Sequence, residues 1–487
     1  MKVLTIILSL FGTLLLHAQP RTYNNLDSLV ADIDILEKAM VSMHPGLYRY
    51  NTKGEISAHF NQLKTSLTVP MDEGEFLKLL AQTTARIRCG HTYPNPWNMK
   101  SSIRTRLFSE ATFLPLGFQI IDGHFYIQQP GESGIPVGAE ILTINGHDAR
   151  AVYDSLSTVV KYDGSNNAPI DSSLGLDEFG EGRWEQFDIY FPLFFPLTSN
   201  EFRITYRAYG KEETEHVTIK GMTKSARAEK MSVDIAYDER WQYDFTKPDY
   251  ALLTIPTFAI WKWKDFDHQS WFQDFFNQLK ESGHDHLVID IRGNSGGLDK
   301  PRNELISYLI QDTISCSDNS KILLRMTKVL TELSPYADTY NPAILEGFPK
   351  DSYTTREDGF HVLNEDQSCT ALTPKPHRYE GMVFILGNSS NVSATFTLLD
   401  KAQQYGFAEF VGQTSGGNKQ GINGGDYIFF YLPYTGMEVD IPLKYYEPRT
   451  NRPDSGVEPD VEVSMDQNDI AEGIDPYFEI VDELINH

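Results

Sequence analysis

A serine set among glycines is the first group in this chain whose type and spacing could do chemistry. Gly293-Asn294-Ser295-Gly296-Gly297 fits G-x-S-x-G, the pattern in which a serine on a sharp strand-to-helix turn exposes its hydroxyl for attack. Such a turn needs a helix at once, then an acid and a histidine further along the chain. Leu298-Asp299-Lys300-Pro301 delays the helix, and only His361, His377 and His487 follow, none in a recognisable setting. Ser295 as an esterase nucleophile is therefore an alternative rather than the leading reading. Cys89, Cys316 and Cys369 are too few and too widely spaced for a disulfide scaffold or a zinc site. No metal or cofactor is expected. One bridge, Cys316 to Cys369, would flank a loop-rich region.

The elements that must position such groups change in texture along the chain. Lys2 followed by the apolar run Val3 to Leu16, with Leu16-His17-Ala18 before Gln19, reads as an export signal, too short to span a bilayer. Leu26, Leu29, Val30, Ile33, Leu36, Met40 and Met43 recur at helical spacing, and two more amphipathic stretches follow. From Phe113 the pattern turns to strands, FLPLGFQIID and HFYIQQ, then GAEILTINGHDARAVYDSL. From Asp249 strands and helices alternate as in α/β folds: YALLTIPTF, HLVIDI, MVFILG, SATFTLLDKAQQYG, AEFVG. Between Gln311 and Tyr379 regular signals are sparse beyond KILLRM, as in a lid or binding loop. The 293–297 run also looks like the Gly-Asp-Ser-Gly-Gly of trypsin-like proteases, but their paired antiparallel barrels do not fit this alternation.

LVIDIRGNSGG, then FILGNSSNVSATFTLL, FVGQTSGGNKQG and SGVEPDVEV, taken in order, resemble the C-terminal processing (tail-specific) serine proteases. That fold is shared by the tricorn core and the interphotoreceptor retinoid-binding protein. The resemblance implies an α+β multidomain protein with an α/β catalytic core of the tail-specific protease type. Gly138, Ile141, Ile144, Asn145 and Gly146 resemble the G-x-x-I-x-x-I-N-G stretch of PDZ domains, with a generic small β-rich domain as the plain alternative. The expected division is a signal peptide over 1–18, a helical domain over 19–105 and a PDZ-like domain over 106–225. A serine peptidase core over 226–470 and a C-terminal helix over 471–487 complete it.

The resemblance assigns the nucleophile to Ser393, which follows MVFILG and opens a helical pattern, so that helix N-terminus and Ala394 N–H favour an oxyanion. A bare helix cap is the competing role. It assigns further oxyanion-hole N–H groups to Gly296 or Gly297, where glycine lets the backbone approach a carbonyl. The Ser–Lys branch places a base in T-x-G-K, but here the run is Thr414-Ser415-Gly416-Gly417-Asn418-Lys419 and Lys419 comes late. The tricorn-like branch takes a histidine from an N-terminal segment, here His91 in IRCGHTY. The implied base is thus His91, with Lys419 as the alternative. The orienting acid is Asp454, two residues before Gly456-Val457-Glu458-Pro459-Asp460, or else Glu447. Asp290 and Arg292 would brace the oxyanion loop. Phe396, where many active members carry Glu, keeps open an inactive member that binds a peptide or an apolar ligand.

The length of 487 residues suggests about three domains, and 22% charged with 40% hydrophobic residues is an ordinary globular composition. A formal net charge of −25 repels phosphate backbones and anionic lipid heads, so nucleic acid and a polybasic membrane surface are poor partners. No later stretch is long and apolar enough to span a membrane. The expectation is an exported, soluble endopeptidase acting on polypeptides.

Overall fold

The structure, a computed structural model, describes residues 21–108, 113–176, 186–223, 226–227, 241–316, 320–364 and 369–486. The signal peptide expected over 1–18 lies outside the described residues.

The N-terminal helices start on side chains that satisfy their free N–H groups. Asn25 caps Leu26–Met43 by accepting from Ser28 N, and Thr52 with Glu55 forms a capping box on Lys53–Ser66. Asp72 caps Glu73–Ala85. The stripe Leu29, Ile33, Leu36, Met40 and Met43 is fully buried, as its spacing predicts. These helices do not close on one another alone. They share one core with Ile428, Phe430, Val439, Ile441 and Leu443, which belong to an antiparallel sheet built mainly downstream. Its order is Ala337–Asp338, Asn423–Tyr431, Glu438–Glu447, Lys321–Leu324, His361–Leu363, Tyr353–Thr355. Asp32 fastens the two, its carboxylate accepting from Tyr434 N at 2.8 Å and Thr435 N at 2.9 Å. The sparse stretch after Gln311 thus supplies short strands to this sheet. Cys316 and Cys369 form a disulfide, with Cα atoms 5.8 Å apart.

The middle of the chain forms a second antiparallel sheet in the order Gly117–Ile121, His124–Gln129, Glu140–Ile144, Glu201–Arg207, Thr214–Lys220. Asn145 and Gly146 take φ of 54° and 83°, the left-handed pair that a tight two-residue hairpin demands. Helix Ala149–Ser157 follows on its Asp148 cap. Two helices not foreseen from the pattern, Pro169–Leu174 and Gln186–Phe194, pack onto the same core.

The third sheet runs Val461–Glu462, Glu409–Gly412, Met382–Gly387, His286–Asp290, Ala251–Thr254, Gln242–Asp244, parallel except for the last strand. Helices His268–Ser282, Asp299–Leu309 and Ser393–Tyr405 cover one face, and helix Pro476–Asn486 covers the other through Tyr477 and Val481. Both faces are therefore dry, as continuous apolar strands require. Asp290 pairs with Leu386 at the ends of two adjacent parallel strands. The loops 291–298 and 388–392 consequently leave the same carboxyl edge, the usual place for a site in such sheets.

Candidate active site

The glycine-rich loop is shaped by what lies against it. A Cβ on Gly296 (φ 106°) would sit 2.9 Å from Ser393 Cβ and 3.0 Å from Ala394 N. On Gly297 (φ 138°) it would sit 2.1 Å from the Phe258 carbonyl carbon. Neither position admits a side chain. Asparagines stitch the loop: Asn294 Oδ1 accepts from Gly296 N and from Thr395 Oγ1, both at 2.9 Å. Asn391 Nδ2 donates to Ile291 O at 2.6 Å and Asn294 O at 3.0 Å. Phe258 N donates to Gly296 O, and Leu298 N to Phe258 O. Gly296 N–H is thus used inside the loop, while the N–H groups of Gly297 and Ala394 have no partner among the described residues. Arg292 pairs with Asp290, as expected, and also forks onto Asp475 at 3.0 and 2.9 Å, tying the loop to the C-terminal helix.

Ser393 is the first residue of its helix, with φ of 56°. The cap position is Val392, and no side chain caps the helix, so Ser393 is not a cap. A non-glycine residue at positive φ costs about 1–3 kcal/mol and persists only where its surroundings enforce it. Here the stitched asparagines and Gly296 do so. Ser389 Oγ instead bonds Ser172 Oγ at 3.0 Å. Ser295 is buried in the loop, four positions ahead of helix Asp299–Leu309, and so is not on a strand-to-helix elbow.

His91 lies on the turn that follows helix Glu73–Ala85. Asp440 N donates to Tyr93 O at 3.0 Å, and Asn95 and Asn98 Nδ2 donate to the Asp440 carboxylate at 2.8 and 2.9 Å. These bonds lay the segment on the antiparallel sheet. Burial raises the pKa of Asp440 and of its neighbour Glu438. On the other side His44 Nδ1 accepts from Gly46 N, which leaves Nε2–H to donate to Thr92 Oγ1 at 2.9 Å. His91 Nδ1 is sealed from solvent and has no hydrogen-bond partner among the described residues. Burial, with the Lys161 ammonium adding to it, pushes the His91 pKa down to about 3, so the imidazole is neutral at pH 7. A cavity of about 30 Å³ is lined by His91, Lys161, Asp163, Ser390, Val392 and Gly417 among others. The histidine turn and the loop that immediately precedes Ser393 therefore face one space.

The expected acids lie elsewhere. Asp454 Oδ1 accepts from Asn418 Nδ2 at 2.6 Å and Ser165 N at 2.9 Å, and the unpartnered His91 Nδ1 receives nothing from it. Glu447 pairs with Arg356 at 3.1 Å. Lys419 is anchored by its backbone N–H to Ser455 O at 2.8 Å and is not among the residues lining the cavity. Asn418, fully buried, also donates to Asp163 O. Phe396 packs beneath the glycine at 417, where a Cβ would lie 2.6 Å from its ring. Sequence reasoning missed Lys161, Asp163 and the bracing by His44, because no local pattern links them to the site.

Residues 249–463 match the profile of peptidase family S41. This region is an S41 peptidase domain. The chain is therefore a serine-type peptidase, acting on polypeptides. Among solved structures, mature CPAF complexed with lactacystin is 16% identical with a TM-score of 0.60, covering 94% of this chain and 98% of that one. The CPAF S499A mutant is 15% identical with a TM-score of 0.63 over 94% and 96%. The photosystem II D1 C-terminal processing protease is 13% identical over 92% and 97%, with a TM-score of 0.40. At such identities the CPAF likeness shows a shared fold, spanning nearly the whole of both chains. No curated protein matches the chain. Among the described residues no helix is long and apolar enough to cross a membrane.

Proposed function

We propose that this S41 protein is an exported endopeptidase working through an acyl-enzyme. Ser393 Oγ attacks the scissile carbonyl, and His91 takes its proton and passes it to the leaving amine. Water, activated by the same imidazole, then attacks the ester and releases Ser393. Gly297 and Ala394 donate N–H groups to the oxyanion. The carrying observation is the positive φ of 56° at Ser393, on a helix N-terminus and against a glycine that leaves no room for a side chain.

Gly297 is preferred to Gly296 as donor because Gly296 N–H is already bonded to Asn294. Asn418 in place of a lysine supports a base from outside that loop, as in the tricorn-like branch, and a neutral imidazole suits the task. In this reading Lys419 is not the base. Asp454 steadies the Asn418 loop rather than the imidazole. The sheet from Gly117 to Lys220 would be the PDZ-like module that takes a peptide by strand addition. The Cys316–Cys369 disulfide fits an oxidising compartment and so supports export.

A fluorophosphonate probe tests the assignment. Labelling should persist in Ser295→Ala and vanish in Ser393→Ala, and His91→Ala should slow casein hydrolysis by about a hundredfold or more. Labelling that survives in Ser393→Ala and disappears in Ser295→Ala would overturn the proposal in favour of an esterase-type nucleophile.

A further inference from the structure

A general base is ordinarily oriented by a carboxylate on its second nitrogen, yet His91 Nδ1 is buried with no hydrogen-bond partner among the described residues. The turn that carries His91 is instead held by its backbone. Gly90 N donates to Asp163 Oδ1 at 3.0 Å, and Lys161 Nζ donates to Gly90 O at 3.0 Å. Gly164 N donates to Arg88 O at 3.0 Å. Asp163 is 2% exposed, and a Cβ on Gly90 would lie 2.7 Å from its carboxylate, so the contact is intimate and dry.

The same short segment is fastened on its far side to the loop that begins after Gly412. Asn166 Nδ2 donates to Ser415 O at 2.9 Å and Gly417 O at 2.7 Å. Asn418 Nδ2 donates to Asp163 O at 3.2 Å, and Asp454 accepts from Ser165 N. Residues 161–166 therefore form a strap between the histidine turn and the wall of the cavity that His91, Val392 and Gly417 line.

We propose that Asp163 and Lys161 are the positioning residues of the base, fixing the Gly90–His91 turn through its peptide groups in place of a carboxylate on the imidazole. The inference rests on the Ser393–His91 reading. Its physical basis is that a displacement of about 1 Å in a reacting group can cost about a hundredfold in rate. Removing Asp163 also leaves the partly buried Gly90 N–H without its acceptor. Because the strap comes from the middle of the chain, correct placement of the base depends on how that module docks.

Kinetics of fluorophosphonate labelling at Ser393 in the full chain test this, with the maximal rate separated from the probe's binding constant. Asp163→Ala should lower the maximal rate about tenfold to a hundredfold while leaving the binding constant within about twofold. Asp163→Asn, whose side-chain oxygen still accepts from Gly90 N–H, should recover most of the loss. Lys161→Met should fall between, with its melting temperature near wild type. Wild-type maximal rates in folded Asp163→Ala or Lys161→Met would overturn the inference. If Asp163→Ala does not fold, Lys161→Met decides alone. Absence of labelling at Ser393 in the unmodified chain would instead defeat the reading beneath it, and the inference with it.

Discussion

A histidine can accept a serine's proton only if it arrives without one, and the surroundings of His91 arrange this by desolvation. Its ordinary value of 6.5 falls to about 3 through burial, then through Lys161. The groups facing the ring turn are Lys161 and Asp163 on the strap, Tyr427 at 6.0 Å ring to ring, and Cys89 beside it. Labelling of Ser393 should therefore stay level as pH falls from about 8 through 6.5, with no acid limb near 6.5. A rate that halves near 6.5 would show an imidazole titrating normally. Stability should move differently. Below 6.5 the unfolded chain takes up a proton at His91 and the folded chain does not, so the melting temperature should drop as pH falls toward 3. His44, also held at about 3 by burial, adds to that slope. His44→Gln should flatten it, and an unchanged slope would mean that His44 is not buried as a neutral group.

Among the elements, the joint between the first helix and the antiparallel sheet rests heavily on Asp32. Its carboxylate takes Tyr434 N, Thr435 N and Thr435 Oγ1. Asp32→Ala would leave one buried and one partly buried N–H group unbonded and should cost about 2–3 kcal/mol in urea unfolding. A loss below about 0.5 kcal/mol would contradict that account. The parallel strands and the Ser393 helix were legible in the sequence because buried strands read as continuous apolar runs and glycines mark the loops between them. The partner of the N-terminal helices was not. Lys321–Leu324, Ala337–Asp338, Tyr353–Thr355 and His361–Leu363 are too short to show a period. The strap was equally invisible, because Asp163 and Lys161 meet Gly90 only through tertiary packing. Asp454 illustrates the converse: its place beside the Gly456 motif pointed to the imidazole, while its carboxylate binds Asn418 and Ser165.

At the scale of the molecule, the proposed site draws on distant parts of the chain, and the N-terminal helices share their core with a sheet built downstream. Their core is completed by Ile428, Phe430, Val439, Ile441 and Leu443. A fragment spanning residues 241–486 would expose that apolar face and should be insoluble or lack cooperative unfolding by circular dichroism. A soluble, cooperatively folding fragment would refute the shared core. The most direct test of the central claim is the crystal structure of the full chain carrying a phosphonate adduct. Phosphorus should be bonded to Ser393 Oγ, with its oxygen about 3 Å from the Gly297 and Ala394 nitrogens and the His91 ring facing the ester. An adduct on Ser295, or one on Ser393 whose oxygen points away from both nitrogens, would contradict it.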